Sequence, residues 1–426
     1  MFRAKLAFGL LAMAIVAAVA QPSQVADASE KTLSDQLAEA AADELVNSDE
    51  AAQDTLPPAE PAEPQSPPAP EPTLEPEPKP EPQPEPRTFS LAFTGDFLLH
   101  NRVNNTAAQH AVEDPTREYD YRPLLRPIQP YIEGVDWAVC HMEVNLSSDG
   151  TRIHPYPVFR SPGEIAFDAA DLGYDSCTTA SNHTLDHGVD GVAESLEVMH
   201  DANLHTTGSA RSEVEKNTQK WVEINGVRVA HLSYTYGFNG FTVPSDSPWA
   251  SNLLDKETIL NEARAARVQG AEFIILSVHW GNEYDQTPNS QQSSLGPELL
   301  ASADIDLVVS HHAHVMQPIE YIDGEWLVYG LGNLLANYKQ TVRRDELLVQ
   351  ATVTEQSDGT FSAELAPVPL HVEWDTLTVY PSDPQNRPDG LSEALTAELD
   401  ASWDRVQTIL ANGSGFGNFS DPVARQ

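Results

Sequence analysis

Five groups of metal-type donors punctuate the 426-residue chain, each at the end of an apolar run. Asp96 ends SLAFTGD, Glu143 ends AVCHME, Asn182 and His183 end SCTTASNH, His279 ends FIILSVH, and DLVVSHHAH carries His311, His312 and His314. Carboxylates, an amide oxygen and imidazoles make a hard-to-borderline donor set, suited to Mn²⁺, Fe or Zn²⁺ without a thiolate. Two such ions about 3.5–4 Å apart, bridged by one carboxylate, lower the pKa of a bound water and supply hydroxide near neutral pH. In an extended segment side chains alternate, so His312 and His314 are expected on one side and His311 on the other, which ranks His311 below them.

No single member is diagnostic. A lone Asp after a strand is usually a cap, Asn-His in a loop is often turn chemistry, and His279 beside Trp280 can be a satisfied core residue. The histidines of HHAH are too dense for a packing role, and the ordered set is far less expected by chance than any of its parts.

Elements must bring these donors together. Phe89–Thr94, Trp137–Cys140, Tyr174–Thr179, Glu272–Val278 and Ile305–Val309 read as buried strands. Pro162–Leu172, Gly191–Asp201 and Lys256–Gln269 read as helices, the last with Ile259, Ala263, Ala266 and Val268 as its apolar positions. Asn225-Gly226, Asp323-Gly324 and Asp358-Gly359 mark hairpin turns. Strands separated by helices, with hairpins added, predict a layered α/β domain with mixed sheets over residues 88–375. Donors at strand C-termini then share one crevice. A helix near Leu391–Leu410 within residues 376–426 is expected to be peripheral.

The first 87 residues read differently. Two positive charges and an apolar run from Leu6 to Ala20, ending Ala18-Val19-Ala20, predict a cleaved signal peptide over residues 1–20. An uncleaved anchor is the alternative. Residues 21–87 are rich in Pro, Ala and Glu, with a short helix at Ser34–Asn47 as their one candidate element. Alternate prolines in EPTLEPEPKPEPQPEPR predict a disordered, semi-rigid acidic spacer, with a partner-binding proline motif as the alternative. The protein is expected outside the cytoplasm: periplasmic, extracellular or at the envelope. No later segment has the length and apolarity of a membrane span.

The formal net charge of −40 argues against nucleic acid and anionic lipid as partners. Cys140 and Cys177 fall in buried strands. They are read as small apolar core residues rather than as a pair, although export permits a disulfide.

The blocks TGDFLL, HMEVNL, SNHTLDHG, HWGNEY and HHAHVMQPIEYIDGEWLVYGLGN, in that order, resemble the signature blocks of the bacterial capsule synthesis protein CapA family. That family is linked to poly-γ-glutamate capsule production and grouped with calcineurin-like metallophosphatases. The resemblance covers residues 89–333. It implies a four-layer αββα sandwich with a dimetal centre. Asp96, Glu143 as the bridging carboxylate, Asn182, His279, His312 and His314 would be the ligands, and His183 the acid or transition-state group. Three departures stand out. Leu98 replaces the histidine of a usual Asp-x-His, His141-Met142-Glu143 replaces Asn-Leu-Glu, and Ser310-His311-His312-Ala313-His314 replaces Gly-His-His-Pro-His.

Around this set, Asp186 can orient His183 and Glu283 can orient His279, with solvated loop charge as the alternative. Arg102 can clamp an anionic substrate. Glu283 and Asn333 complete the candidate substrate contacts, and the glycines before Asn333 either let backbone approach the site or make a turn. Arg117, Arg122 and Arg126 can form a basic patch or a solvated helix face. Two functions remain: a metal-dependent hydrolase acting on a phosphoester or related acyl centre of an anionic capsular polymer, or a non-catalytic polymer-binding or assembly component working with capsule-assembly membrane proteins.

Overall fold

The computed structural model describes residues 85–218 and 221–416. The signal peptide, most of the spacer and the Ser34–Asn47 helix lie outside the described residues. Among the described residues no helix is long and apolar enough to cross a membrane.

Two mixed sheets form the middle of the domain. The eight-stranded sheet runs Val379–Pro381, Phe361–Val372, Asp345–Glu355, Thr88–Phe97, Trp137–Met142, Ser176–Thr178, His205–Thr207, and Asn333–Leu335 pairs with Thr88–Phe97 off this path. The six-stranded sheet runs Ile319–Ile322, Glu325–Val328, Leu307–His311, Phe273–His279, Val227–Thr235, Trp221–Ile224. Thr88–Phe97, Trp137–Met142 and Ser176–Thr178 are mutually parallel, as are Val227–Thr235, Phe273–His279 and Leu307–His311. The strand ends that carry donors therefore point the same way within each sheet.

Alternation along these strands builds three apolar layers. Phe89, Leu91 and Phe93 face Phe273, Ile275, Leu307 and Val309 between the sheets. The intervening Ala92 joins Ala138 and Cys140 against Val192 and Leu196 of the helix Gly188–Asp201. On the far side, Leu232, Ile274 and Val308 pack on Ile259, Ala263 and Ala266 of the helix Lys256–Val268. The order is helix, sheet, sheet, helix, the expected four-layer sandwich. Burying a Leu, Ile or Phe contributes roughly 1.5–3 kcal/mol, so these layers rather than helix propensity hold the strand ends in place.

Several expectations are corrected. Val268 closes its helix 84% exposed, because its position falls off the stripe set by Ile259, Ala263 and Ala266. The C-terminal segment is not peripheral: Val379–Pro381 extends the large sheet, and Val406, Ile409 and Leu410 of the helix Glu393–Leu410 enter the inter-sheet core. Cys140 and Cys177 are buried as expected but bonded to each other, with Cα atoms 4.5 Å apart. They are register partners on adjacent parallel strands, a proximity that a sequence separation of 37 conceals.

Candidate metal centre

The donors lie at the C-terminal ends of five strands that are far apart in sequence. Asp96 follows a register shift in Thr88–Phe97, and its N–H donates to Gly332 O at 3.0 Å. This approach requires Gly95, since a side chain there would collide with the Gly332 carbonyl. The glycines before Asn333 thus bring backbone onto Asp96. Glu143 comes directly after Trp137–Met142, Asn182 and His183 occupy the turns after Ser176–Thr178, and His279 and His311 end their strands as register partners.

The side chains converge. His311 Nδ1 lies 3.0 Å from Asp96 Oδ1, and His314 Nδ1 lies 3.1 Å from Asp96 Oδ2. Glu143 Oε1 is 3.6 Å from His314 Nε2 and 3.9 Å from His279 Nε2. His279 Nε2 is also 3.0 Å from Asn182 Oδ1. The His312 ring lies 4.7 Å from that of His279, and His312 groups with His314 and the exposed Glu283 as possible ligands of one ion. Asp96, Glu143 and His314 make another such group.

Two of these contacts are hydrogen bonds, His311 with Asp96 and His279 with Asn182, but other donors of the cluster are left without partners. Both oxygens of buried Glu143 lack any hydrogen-bond partner among the described residues, as does His312 Nδ1. His314 Nδ1, though close to Asp96, is not aligned for a hydrogen bond with it. An unpaired buried carboxylate costs several kcal/mol, and a divalent cation there would supply the missing partner. The residues therefore fit a metal.

Without a cation, burial and crowding shift these groups in opposite directions. Burial pushes the Glu143 carboxyl well above the usual carboxylate range. Burial also opposes charge on Asp96, but His311 and His314 outweigh it and hold that carboxyl well below its ordinary value. His314 is pulled down by burial yet raised to about 9 by Glu143 and Asp96. Burial keeps His141 and His279 well below the usual imidazole range and lowers His312 to about 3, so these imidazoles stay neutral, as metal ligands must be.

The sequence model of the bacterial capsule synthesis protein PGA_cap family matches residues 90–338, more than half of the chain and all five donor blocks. The chain belongs to this capsule synthesis family. It is 26% identical to the PGA biosynthesis protein CapA of Bacillus subtilis (strain 168), over 66% of this chain and 72% of that protein. It is 24% identical to the capsule biosynthesis protein CapA of Bacillus anthracis, over 67% of each. Among solved structures, the calcineurin-like phosphoesterase YfkN of Bacillus subtilis superposes with a TM-score of 0.39 and 14% identity, covering 75% of this chain and 98% of that one.

In this capsule-family chain His183 stands beside the donor cluster. Its Nδ1–H donates to Asp186 Oδ2 at 2.8 Å, and the same oxygen accepts from Phe159 N at 2.6 Å. Asn239 Nδ2 donates to His183 Nε2 at 3.4 Å, and the Phe159 ring meets the imidazole edge-on at 4.8 Å. Asn333 is buried under the cluster, with Nδ2 donating to His314 O at 2.9 Å, so it holds the histidine loop rather than facing a substrate.

Other positions depart from the sequence reading. His311 does not point away, because the segment is not extended: His312 and His314 have φ of 90° and 52°, which turns all three imidazoles inward. Holding non-glycine residues there costs roughly 1–3 kcal/mol each. Arg102 is no clamp. Its Nη2 donates to Trp374 O and Asp375 O at 2.5 and 3.1 Å, and its guanidinium stacks on Trp374. Arg117 and Arg122 form no basic patch, being spent on Asp168, Asp171 and Asp120.

Three contributors escape the sequence reading. His141 figures there only as a departure from Asn, yet its Nε2 lies 2.9 Å from His279 Nδ1. Tyr236 packs at 4.6 Å on His312. Arg343 lies 3.4 Å above the Tyr284 ring and 5.3 Å from that of Tyr338, and each of these rings sits 6.0 Å from His314. An HMEV block with imidazole in place of amide is the available signal for His141. None points to Arg343.

Proposed function

We propose that the chain is a metal-dependent hydrolase of an anionic substrate, a phosphoester or a related acyl or amide centre, acting in the synthesis, release or attachment of a poly-γ-glutamate-type capsular polymer. The observation that carries this reading is buried Glu143 with two partnerless oxygens facing His279 and His314. Asp96, Glu143, Asn182, His279, His312 and His314 would hold about two divalent ions, Mn²⁺, Fe or Zn²⁺. Bound there, the metal supplies a hydroxide nucleophile near neutral pH and stabilises developing negative charge. The chain's own groups do the rest. His183, oriented by Asp186, presents Nε2 to carry the leaving group's proton, and Asn333 keeps the His312–His314 loop in its turned conformation.

The substrate's charge is met by Arg343. No carboxylate of the described residues forms an ion pair with it, and its faces are held by Tyr284 and Tyr338 beside His314. Arg343→Gln is expected to raise KM for an anionic substrate about 10-fold or more with kcat little changed, the size of a lost charge-assisted hydrogen bond. Steady-state kinetics and inhibition by inorganic phosphate measure it. An unchanged KM removes Arg343 from the site.

Residues 1–20 as a signal peptide and 21–87 as a spacer would hold the domain at the cell envelope, near capsule-assembly membrane proteins. The Cys140–Cys177 bond supports an oxidising compartment. The test of the reading is metal content of the purified protein together with a screen of phosphoesters and γ-glutamyl polymers. About one to two transition ions per chain and turnover abolished by Asp96→Asn are expected. A protein that takes up no metal sinks it. The second reading, a non-catalytic polymer-binding component, is favoured by one observation: Leu98 gives the first strand no imidazole. Capsule formation surviving Asp96→Asn in cells would establish it.

A further inference from the structure

Leu98 is buried in the apolar cluster with Phe97, Leu99 and Val103, so the first strand offers the centre Asp96 alone. The neighbouring strand brings an imidazole to the same place. His141 is the register partner of Asp96 across the parallel pair. Ligand atoms of Asp96, His141 and His311 all lie within 4.8 Å of one another, and all three residues are buried. The His141 ring lies against that of His311, with centroids 4.1 Å apart and planes at 16°.

We propose that Asp96, His141 and His311 form a distinct cation position of the centre, with His141 providing the imidazole that Leu98 withholds. The inference rests on the metal-dependent reading of this site and specifies its ligands.

The hydrogen bonds around His141 give it the freedom that a ligand needs. Starting from the acceptor-only carboxylate of Asp186, one direction of donation satisfies a continuous series. His183 Nδ1 donates to Asp186, Asn239 to His183 Nε2, and Asn182 Nδ2 to Asn239 Oδ1. His279 Nε2 then donates to Asn182 Oδ1, His141 Nε2 to His279 Nδ1, and the Thr178 hydroxyl to His141 Nδ1 at 2.7 Å. Thr178 Oγ1 also lies 3.4 Å from Cys140 O. When its hydroxyl turns to that carbonyl, Oγ1 accepts from His141 Nδ1–H instead, and Nε2 then carries no proton. The partner on the far nitrogen fixes the tautomer of a ligating histidine, and here Thr178 serves either one. A histidine kept only for packing has no use for this adaptable contact.

The test uses the full chain, stripped with chelator and titrated with Co²⁺, following bound metal by elemental analysis and ligand-field absorption, with circular dichroism as the check on folding. The native protein is expected to hold about two ions. His141→Asn is expected to lose one of them and the absorption bands belonging to it, while His314→Ala, altering the Asp96–Glu143–His314 group, loses the other. Native stoichiometry and affinity in folded His141→Asn overturn the inference and leave the hydrolase reading standing. Loss of both ions from folded His141→Asn also overturns it, since the position is then not distinct. A native protein that binds no Co²⁺ overturns both. Should His141→Asn fail to fold, His311→Asn takes its place: loss of one ion supports the inference, and loss of neither or of both overturns it.

Discussion

Glu143→Gln, stripped of metal, will melt several degrees above the native chain treated the same way, and will no longer gain stability when metal is added. Glu143 is 1% exposed, and neither oxygen has a hydrogen-bond donor among the described residues. Its nearest compensation is His314 Nε2 at 3.6 Å. A buried carboxylate without donors carries a desolvation penalty of several kcal/mol, which a neutral amide of the same shape escapes. The lost attraction to His314 offsets most of that gain, so a net stabilisation of about 1 kcal/mol is expected, or about 2–4 °C in a domain of this size. The same pair sets a pH dependence. His314 is raised from 6.5 to about 9, so between those values the folded chain binds more protons than the unfolded one. Its contribution is fully present below 6.5 and lost as pH rises through 9. The metal-free native protein should therefore weaken across that window, and Glu143→Gln should weaken less because His314 has lost its largest raising partner. Scanning calorimetry with EDTA and with Mn²⁺, from about pH 6 to about pH 9.5, measures both. Equal stabilisation of native and variant by metal would show that Glu143 is not a ligand.

What the sequence disclosed and what it hid divide along a physical line. Strands with period-2 or continuous apolar character were legible because two-sided burial dictates composition: FIILSVH and LVVSH are buried strands. Their donor-bearing ends were legible for the same reason, a polar residue being conspicuous where an apolar run stops. The helix Ser290–Leu300 was hidden, since SQQSSLGPELL carries Gly296 and Pro297 and few apolar residues. Its capping box, Asn289 with Gln292, was the signal to read. The misplacement of His311 comes from applying strand alternation to a segment whose backbone leaves the extended region at His312, and composition carries no mark of a positive φ in histidine. Arg102 and Arg343 show the limit in another form. Both are arginines near donor blocks, but their roles depend on what lies across the fold: Trp374 and two carbonyls for one, a tyrosine pair beside His314 for the other. The cysteine bond is of the same kind, set by register between strands.

His183→Ala will lower kcat by about 10²–10⁴ while leaving metal content unchanged, the range for loss of a positioned general acid. The geometry separates this histidine from the cation donors. Its Nδ1–H is committed to Asp186, and Asp186 is pinned in turn by Phe159 N, so the ring can rotate in neither direction without breaking a buried bond. Nε2 meets only the weak 3.4 Å donation from exposed Asn239, which a substrate oxygen can displace. The loss should depend on the leaving group: large for alkyl esters, whose alkoxide needs a proton, and small for nitrophenyl esters, whose phenolate leaves without one. Asp186→Asn preserves the shape but can offer an N–H to Nδ1, favouring the tautomer with the proton on Nε2. A smaller loss, about 10–100-fold, is expected there, as for other residues that orient a catalytic imidazole. Kinetics across a series of leaving groups, with metal analysis of each variant, decide the matter. A uniform loss over the whole series would place His183 on the side of metal or substrate positioning, and loss of metal from His183→Ala would make it a ligand after all.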